Sequence, residues 1–327
     1  MVSIVVDVGG TNLRLACYDG TSITQVRRVP VENFLRHPDL HGARLYRAFL
    51  DQLDQEIRGL LAAYPSAPVG LAFPGPIGPD GSALSAPTLW GDRVNRVPLQ
   101  ADLEQQLGRQ IHVMNDISAA AWRYASADND EFCLITISSG IGNKVFRKGA
   151  ILINDQGLGG EIGHCQVAEG ADALPCDCGG HGHLGAVASG RGTLRLARLY
   201  ADRHPDILAR SPLAACSSAD WTTFDLVAAL KQDDAFAWLV CEAAQRYLVV
   251  ALRYLYHWIG VRRFILIGGF ATAIGAPYID RLNRLLARES WFGLSADALQ
   301  EMCTLGADDD DHSLIGMGRY LALQEAG

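Results

Sequence analysis

The sequence predicts an α/β protein with two domains, and three observations support this class. The chain has 327 residues, of which 49% are apolar, enough for two hydrophobic cores. Short β-branched runs alternate with segments in which apolar residues recur at helical spacing. A strand, a glycine turn and a second strand open the chain, and the same arrangement returns near residue 132, which indicates two similar halves.

The first half begins with an apolar strand over residues 2 to 8, the turn Gly9-Gly10-Thr11 and a second strand from Leu13 to Tyr18. A helix is expected over 43–63, because apolar residues recur there every three or four positions. The next elements are a buried strand over 69–73, a Pro- and Gly-rich functional loop over 74–98, a helix near 99–107, a strand near 110–114 and a helix from Ile117 to Ala127.

In the second half, an apolar strand from Phe132 to Ile137 ends in a turn of small residues, 138–142. Residues 235–260 form the longest apolar segment, and the charged residues within it predict a buried helix of a soluble protein instead of a membrane span. A strand from Phe264 to Ile267 leads into Gly268-Gly269, and an amphipathic helix from Leu314 to Ala326 ends the chain.

We place the domain boundary near residue 118. The smaller N-terminal domain then comprises residues 1–117 and the C-terminal helix at 312–327, and the larger domain comprises 118–311. The acidic run Asp308 to Asp311 precedes that helix. We expect it to form a solvated turn that supplies an N-cap and favourable dipole charge, not a metal site.

Charge and cysteine usage limit the function classes. The net charge is -8 and no stretch concentrates Lys and Arg, so no nucleic-acid partner is expected. The chain enters its first strand without a basic region or cleavage site, which argues against a signal peptide. Scattered cysteines fit a reducing compartment better than a disulfide framework. We therefore predict a cytoplasmic protein that binds neither nucleic acid nor membranes.

The stretch that runs from residue 160 to residue 183 carries the side chains of a closed zinc site. Two imidazoles and two thiolates are the donors that zinc prefers in a tetrahedral structural site. Glycines before the last histidine let the backbone fold back sharply. The candidate ligands are His164, Cys176, Cys178 and His183.

Alternatives to this ligand set remain open. His181 is a second candidate for the fourth ligand, and Cys165 is a weaker one. A mobile glycine loop with incidental histidines and thiols is the alternative without a metal.

Two glycine turns after strands offer backbone N–H groups that suit a polyphosphate. In the first turn, Asp7 ends the strand, Gly10 and Thr11 supply donors, and Arg14 follows. The carboxylate of Asp7 is suited to hold Mg²⁺ directly or through water. A plain tight hairpin is the alternative.

The second turn, over 136–142, has hydroxyls and glycines suited to the outer phosphates, with Lys144 nearby as a countercharge. An ordinary hairpin is again the alternative. Gly268-Gly269 has room for an adenosine against the backbone, or simply starts a helix. The sequence contains no Walker-type loop and no dinucleotide fingerprint.

Asn115-Asp116 lies where a strand is expected to end and a helix to begin. In a functional interpretation, Asp116 is a general base that accepts a hydroxyl proton during phosphoryl transfer, and Asn115 orients the acceptor. An Asp that merely caps the helix is the alternative.

Taken together, several motifs resemble those of the ROK family of sugar kinases and regulators. They are the two glycine turns, Asn115-Asp116, the run Gly-Glu-Ile-Gly-His that ends at His164, and the Cys-x-Cys-Gly-x-x-Gly run that starts at Cys176. The resemblance covers essentially the whole chain. It implies an actin-like ATPase (RNase H-like) fold of two α/β domains with an interdomain cleft, ATP with Mg²⁺ as the phosphoryl donor, and a homodimer.

The resemblance also implies roles for matching residues. Asp116 is the catalytic base, and the acceptor is expected to contact Gly75, Asn115, Asp116, Glu161 and His164. Because His164 is also a zinc ligand, a structural Zn²⁺ would hold a sugar-binding side chain in place. The residues expected to bind the nucleotide and its phosphates are Asp7, Gly9, Gly10, Thr11, Asn12, Arg14, Ser138, Ser139, Gly140, Gly142, Gly268 and Gly269.

Two departures from the family pattern bear on the acceptor. His183 replaces the last cysteine, and Gly185 replaces a glutamate that in the family contacts the anomeric end of the sugar. The second turn has Ser138 for a glycine, and Asn143 and Lys144 where small residues are common. We predict an ATP-dependent kinase for the primary 6-hydroxyl of a hexose or amino sugar such as glucose or kanosamine, with the 7-hydroxyl of a C7 cyclitol as the alternative.

A sugar-sensing regulator and a non-catalytic sugar-binding protein are the alternatives from another class. Regulators of the family carry a DNA-binding region before the first strand, which here begins at Val2, so this alternative is not favoured. The presence of both Asp7 and Asp116 argues against a non-catalytic role.

Overall fold

The computed structural model describes residues 2–126 and 130–326 and confirms the α/β class. It contains two compact units. The first comprises Met1–Asp128, Gly149–Gly159 and Asp311–Gly327, and the second comprises Asn129–Lys148 and Gly160–Asp310.

The first unit is built on a five-stranded sheet in the order β3-β2-β1-β4-β5. Strands β1 to β3 are antiparallel, whereas β1, β4 and β5 are parallel. The carboxyl ends of these parallel strands therefore meet at one edge, which is where ligands bind in open α/β sheets. The strands are Ser3–Val8, Asn12–Tyr18, Ile23–Pro30, Val69–Phe73 and His112–Asn115.

The second sheet has the order β10-β9-β6-β7-β8, and its strands β6, β7, β9 and β10 belong to the second unit. Its centre repeats the opening of the chain, because β6 and β7 form an antiparallel hairpin around a small-residue turn, as β1 and β2 do. The strands are Glu131–Ile137 (β6), Ile141–Arg147 (β7), Ala150–Ile151 (β8), Phe264–Ile267 (β9) and Cys303–Leu305 (β10).

Helices cover both faces of the first sheet, which agrees with the almost continuous burial of β1. Ile4 and Val6 pack with Phe49 of α1, while Val5 between them packs on the opposite side. The helices that precede β6 are α1 (Gly42–Leu61), α2 (Pro87–Trp90), α3 (Leu99–Leu107) and α4 (Asp116–Trp122). The expected end of the last one, Ala127, lies outside the described residues.

The second unit has its own core around α9, Ala235–Ile259. This is the one helix in the described part of the chain with the length and apolar character to cross a membrane, and 67% of its most apolar window is buried. It is therefore packed as a core helix. The other helices here are α5 (Leu184–Ala188), α6 (Gly190–Arg203), α7 (Pro205–Leu208), α8 (Thr223–Lys231), α10 (Gly269–Ile274), α11 (Ala276–Ala287) and α12 (Ala296–Gln300).

The last helix, α13 (His312–Ala326), lies in the first unit. It packs beside α4, where Ala119 shares a core with Leu314 and Met317. This packing places α4 in the first unit, whereas the expected boundary near 118 cuts through that helix.

The segment Gly149–Gly159 also belongs to the first unit and was not expected there. A Cβ at Gly157 would lie 2.0 Å from the carbonyl O of Ile77, so the two backbones touch at a position where only glycine fits. The acidic run before α13 is not simply solvated, since Asp311 forms an ion pair with Arg14 at 3.3 Å.

Candidate active site

The first glycine turn joins β1 to β2. The N–H of Gly9 donates to the carbonyl O of Asn12 at 2.8 Å, and the side chain of Asn33 donates to the carbonyl O of Gly10 at 2.7 Å. Thr11 and Asn12 are exposed, and their side chains are hydrogen-bonded to each other. The turn is thus a tight, braced hairpin whose polar tip faces solvent.

Asp7 and Arg14 are cross-strand partners beside this turn. Arg14 donates from Nε at 3.0 Å and from Nη2 at 2.7 Å to the same oxygen of Asp7. Such a charge-assisted pair fixes the orientation of the carboxylate. The Mg²⁺ role expected for Asp7 stays a prediction.

Asn115, and not Asp116, is the N-cap of α4. Its Oδ1 accepts from the N–H groups of Ile117 and Ser118, both at 3.1 Å. Its Nδ2 donates to Oδ1 of Asp116 at 2.9 Å, and the same oxygen accepts from the N–H of Ile117 at 2.8 Å. Asn115 therefore occupies the capping position, and the half-buried carboxylate of Asp116 is held by this amide and by the backbone of Ile117.

Gly75 reaches the same place from the end of β4. Its carbonyl O accepts from Nδ2 of Asn115 at 3.1 Å. A Cβ on Gly75 would lie 2.0 Å from the carbonyl O of Ser85, so no other residue fits without moving the backbone. The Pro-Gly-Pro turn thus contacts the Asn-Asp pair through its backbone.

A cavity of about 310 Å³ lies beside Asn115 within the first unit. The segment Gly149–Gly159 supplies part of its wall. Polar and aromatic side chains on the wall include Asn115, Ser118, Trp122, Asn154 and Asp155.

The four predicted metal ligands come together in the second unit. The ligand atoms of His164, Cys176, Cys178 and His183 all lie within 4.8 Å of one another. Sγ of Cys176 is 3.8 Å from Nδ1 of His164, and Sγ of Cys178 is 3.2 Å from Nδ1 of His183. Zn–S distances near 2.3 Å and Zn–N distances near 2.1 Å place tetrahedral ligand atoms roughly 3.3–3.8 Å apart. The donor set therefore fits a zinc ion.

Glycines make this loop possible. A Cβ on Gly180 would lie 2.4 Å from the ring of His183, and one on Gly182, at φ +67°, would lie 2.1 Å from the carbonyl O of Ala168. The group of potential ligands found among the described residues includes His183 and neither His181 nor Cys165. The geometry thus favours His183 as the fourth ligand.

Asn143 positions the turn that carries Glu161 and His164. Its side chain is 1% exposed, and its Oδ1 accepts from the N–H of Ile162 at 3.1 Å. Ile162 begins the 3₁₀ turn Ile162–His164, which follows Glu161 directly. A departure from the family pattern therefore has a structural use that sequence reasoning missed.

The second glycine turn lies against the start of α6. The carbonyl O of Ser138 accepts from the N–H of Gly190 at 2.8 Å, and Arg191 donates from Nε to the carbonyl O of Ser139 at 2.9 Å. Lys144 lies in β7 and is 4% exposed. Arg191 thus contacts this turn directly, and the countercharge role expected for Lys144 stays a prediction.

Two cavities adjoin the second turn. One of about 170 Å³ is lined by Ser139, His164 and Gly185, among others, and one of about 300 Å³ is lined by Ser138, Phe224 and Gly269. Gly268, at φ +96°, packs so closely on β6 that a Cβ would lie 2.8 Å from the N of Ile137. The expected adenosine position at Gly268-Gly269 is therefore next to an open volume.

The predicted site residues fall into two groups, one in each unit. The first unit holds Asp7, Gly9, Gly10, Thr11, Asn12, Arg14, Gly75, Asn115 and Asp116. The second unit holds Ser138, Ser139, Gly140, Gly142, Glu161, His164, Cys176, Cys178, His183, Gly268 and Gly269. Sequence reasoning missed Arg191 and Phe224, although an arginine between two glycines, Gly190-Arg191-Gly192, was a signal available in the sequence.

Comparison with known proteins shows a relationship over nearly the whole chain. The ROK family matches residues 3–317. A C(7)-cyclitol 7-kinase from Streptomyces hygroscopicus subsp. limoneus is 44% identical, over 98% of this chain and 93% of its own length. A glucokinase from Halalkalibacterium halodurans is 28% identical, over 98% of this chain and 94% of its own length.

Solved structures show the same architecture. A ROK family glucokinase from Streptomyces griseus, in complex with glucose and AMPPNP, superimposes with a TM-score of 0.70 at 23% identity, covering 99% of this chain and 100% of that one. At this level of identity the likeness concerns the fold, which is that of the actin-like ATPases.

Proposed function

Because this chain belongs to the ROK family and is a sugar phosphotransferase, we propose that it transfers the γ-phosphoryl group of ATP to the 7-hydroxyl of a C7 cyclitol. The observation that carries the proposal is the 44% identity to a C(7)-cyclitol 7-kinase over 98% of this chain, against 28% to a glucokinase over the same share. The C7 cyclitol was the alternative acceptor expected from the sequence, and we now favour it over the hexose.

The environment of Gly185 supports this acceptor. Gly185 lines the cavity of about 170 Å³ together with His164, and its carbonyl O accepts from the hydroxyl of Ser189 at 2.6 Å. A carbocyclic cyclitol has no ring oxygen and no anomeric hydroxyl. A carboxylate that contacts the anomeric end of a sugar, as the family resemblance implies for this position, would have no such group to bind.

The catalytic step that we propose uses Asp116 as the general base. The carboxylate accepts the proton of the primary hydroxyl as its oxygen bonds to the γ-phosphorus, and the bond to the β-phosphate oxygen breaks to release ADP. The amide of Asn115, which donates to Asp116 at 2.9 Å, keeps the carboxylate in one orientation. Mg²⁺ bound with ATP supplies charge neutralisation at the phosphates.

We further propose that the metal site in the second unit binds Zn²⁺ through His164, Cys176, Cys178 and His183. These four ligands would complete a tetrahedral shell without an open position, which would give the metal a structural role. Fixing the ring of His164 would hold this side chain ready for an acceptor hydroxyl, and Glu161, which directly precedes the same turn, is the second side chain expected to bind the acceptor. A homodimer, which the resemblance implies, and a cytoplasmic location, which the cysteine usage and the N-terminal residues predict, remain predictions.

A hexose or amino sugar such as glucose or kanosamine is the second candidate acceptor. The presence of Glu161 and His164 supports it, since these residues match the positions expected to bind sugar hydroxyls. Nucleotide turnover itself separates both candidates from a regulator or a non-catalytic binding protein.

The test is a coupled ADP-release assay over C7 cyclitols, glucose and kanosamine, with NMR of the product to locate the phosphate. We expect a C7 cyclitol to have the highest kcat/KM and the product to carry its phosphate on the exocyclic primary oxygen. A higher kcat/KM for glucose would reject the cyclitol and favour the second candidate. The absence of turnover with every acceptor would reject the kinase assignment.

A further inference from the structure

Arg191 occupies a position between the two cavities of the second unit. It lines both the cavity of about 170 Å³ beside His164 and the cavity of about 300 Å³ beside Gly269. Ser139, in the second glycine turn, also lines both cavities. A ligand that extends from one cavity to the other therefore passes the guanidinium of Arg191.

The guanidinium is held on two sides. Its Nε donates to the carbonyl O of Ser139 at 2.9 Å, and its Nη2 forms an ion pair with Oδ2 of Asp177 at 2.9 Å. Asp177 stands between two of the metal ligands, Cys176 and Cys178. Arg191 thus links Asp177 to the backbone of the second glycine turn.

We propose that Arg191 binds the phosphates of the nucleotide and that Asp177 positions it. This inference rests on the proposed kinase function. An adenosine in the larger cavity directs its phosphates along the turn that contains Ser139, where a planar guanidinium can donate two hydrogen bonds to phosphate oxygens. The N-terminus of α6, a helix of 14 residues, starts at the neighbouring Gly190 and adds a favourable dipole.

Arg195 provides a matched control for this role. It lies one turn further along α6, also contacts Asp177, at 3.5 Å, and donates to the carbonyl O of Pro175 at 3.1 Å. It lines only the cavity beside His164 and is not in the wall of the larger cavity. If replacing either arginine weakens ATP binding equally, the cause is the lost support of Asp177 and its segment. If only the replacement of Arg191 weakens ATP binding, the cause is a lost contact with the nucleotide.

The first experiment measures the dissociation constants of adenosine, ADP and ATP, with Mg²⁺, for the wild-type protein and for Arg191→Gln, Arg191→Lys and Arg195→Gln. For Arg191→Gln we expect ATP and ADP to bind roughly tenfold more weakly and adenosine to bind unchanged, since only the phosphates lose a charge-assisted partner. Arg191→Lys should recover part of the loss, and Arg195→Gln should leave the ratio of ATP to adenosine affinity unchanged.

Three outcomes would overturn the proposal. They are an unchanged ATP affinity in Arg191→Gln, an equal loss for adenosine and ATP, and the same change of the ratio in Arg195→Gln. If Arg191→Gln does not fold, the comparison of Arg191→Lys with the wild type decides. Lysine has fewer N–H donors than arginine, so this variant should still bind ATP more weakly relative to adenosine. If the wild type phosphorylates its acceptor and Arg191→Gln keeps full ATP affinity, only this inference is rejected. If the wild type binds no ATP, the kinase assignment is rejected as well.

The second experiment tests the positioning role of Asp177 by a double-mutant cycle. Asp177→Asn should lower the affinity for ATP a fewfold in the wild-type background. It should have no effect on this affinity in the Arg191→Gln background, because the carboxylate acts through the guanidinium. Metal content, measured alongside, should stay at the wild-type level. Equal effects in both backgrounds would show that Asp177 acts independently of Arg191 and would reject the positioning role.

Discussion

The amide nitrogen of Asn115 lies 3.1 Å from the carbonyl oxygen of Gly75, which joins the end of β5 to the turn that follows β4. The same nitrogen also reaches Asp116, and the side-chain oxygen caps α4. A single asparagine thus makes contacts to a turn, to the proposed base and to a helix N-terminus. The side-chain amide of asparagine can make all three contacts, because its NH₂ group donates and its oxygen accepts.

Replacing Asn115 separates capping from positioning. Asn115→Ser keeps an oxygen that can cap α4 but removes both amide donors, so we expect little loss of stability and a fall in kcat of about tenfold or more. Asn115→Ala should lower the free energy of unfolding by a further ~1 kcal/mol, the usual cost of a lost N-cap. Denaturant unfolding and steady-state kinetics measure the two effects. A wild-type kcat in Asn115→Ser would show that the donors do not position the base.

The metal site gives a prediction that distinguishes His183 from His181, two positions earlier. The wild-type protein should contain about one zinc ion per chain, as expected of a closed four-ligand site. His183→Ala should lose the metal, and His181→Ala, the control, should retain it. Elemental analysis of the purified proteins measures both. Metal loss in His181→Ala with retention in His183→Ala would show that the loop binds its ion by another ligand set.

Removing Asn143 should disturb acceptor binding through the turn that it holds. Asn143→Ala leaves the buried N–H of Ile162 without its acceptor, which costs about 1–3 kcal/mol, and we expect the KM for the acceptor to rise. Asn283 is a suitable control, because it is a buried asparagine of the same unit that binds the backbone of Cys303. Asn283→Ala should lower stability without changing KM. An unchanged KM in Asn143→Ala would contradict the positioning role.

The pH dependence of stability should reveal the contacts of Asp172, which ends a short turn in the metal loop. Burial raises the pKa of this carboxyl, but hydrogen bonds from Arg203, Tyr247 and Tyr200 outweigh it and leave the pKa below its ordinary value. Because the folded-state pKa is lowered, the stabilisation is present above the unfolded-state pKa of about 3.9 and is lost as the pH falls through the folded-state value.

Asp172→Asn should therefore be less stable than the wild type at pH 7, by about 2 kcal/mol, and the difference should shrink below about pH 4. Unfolding is followed in the presence of a chelator throughout, so that metal loss at low pH does not contribute. The same change at an exposed side chain, Asp220→Asn, serves as the control variant. A difference between Asp172→Asn and the wild type that stays constant from pH 7 to pH 3 would contradict the assignment.

Elements with strong local signals could be predicted from the sequence. The strand at 69–73, the helix at 99–107 and the strand at 264–267 occur at the expected bounds, because each is a buried run or a clear stripe between Pro or Gly residues. The four metal ligands were also predictable, since side-chain type and glycine spacing are local features.

Features that depend on distant partners could not be predicted. Strand β3, Ile23–Pro30, is mostly exposed and has no apolar alternation to indicate it. The association of Gly149–Gly159 with the first unit depends on the contact of Gly157 with Ile77, which lies 80 positions earlier in the chain. The roles of Asn143 and Arg191 likewise depend on the backbone groups of Ile162 and Ser139, which the fold brings to them.

The measurement that tests the central claim most directly is the steady-state kcat of Asp116→Asn with the preferred acceptor. We expect kcat to fall by a factor on the order of 10²–10⁴, the usual contribution of a general base, while acceptor binding, metal content and unfolding remain close to those of the wild type. The isosteric change Asp51→Asn, on the exposed side of α1, should leave kcat unchanged. A kcat for Asp116→Asn equal to that of Asp51→Asn would show that this carboxylate does not accept the hydroxyl proton.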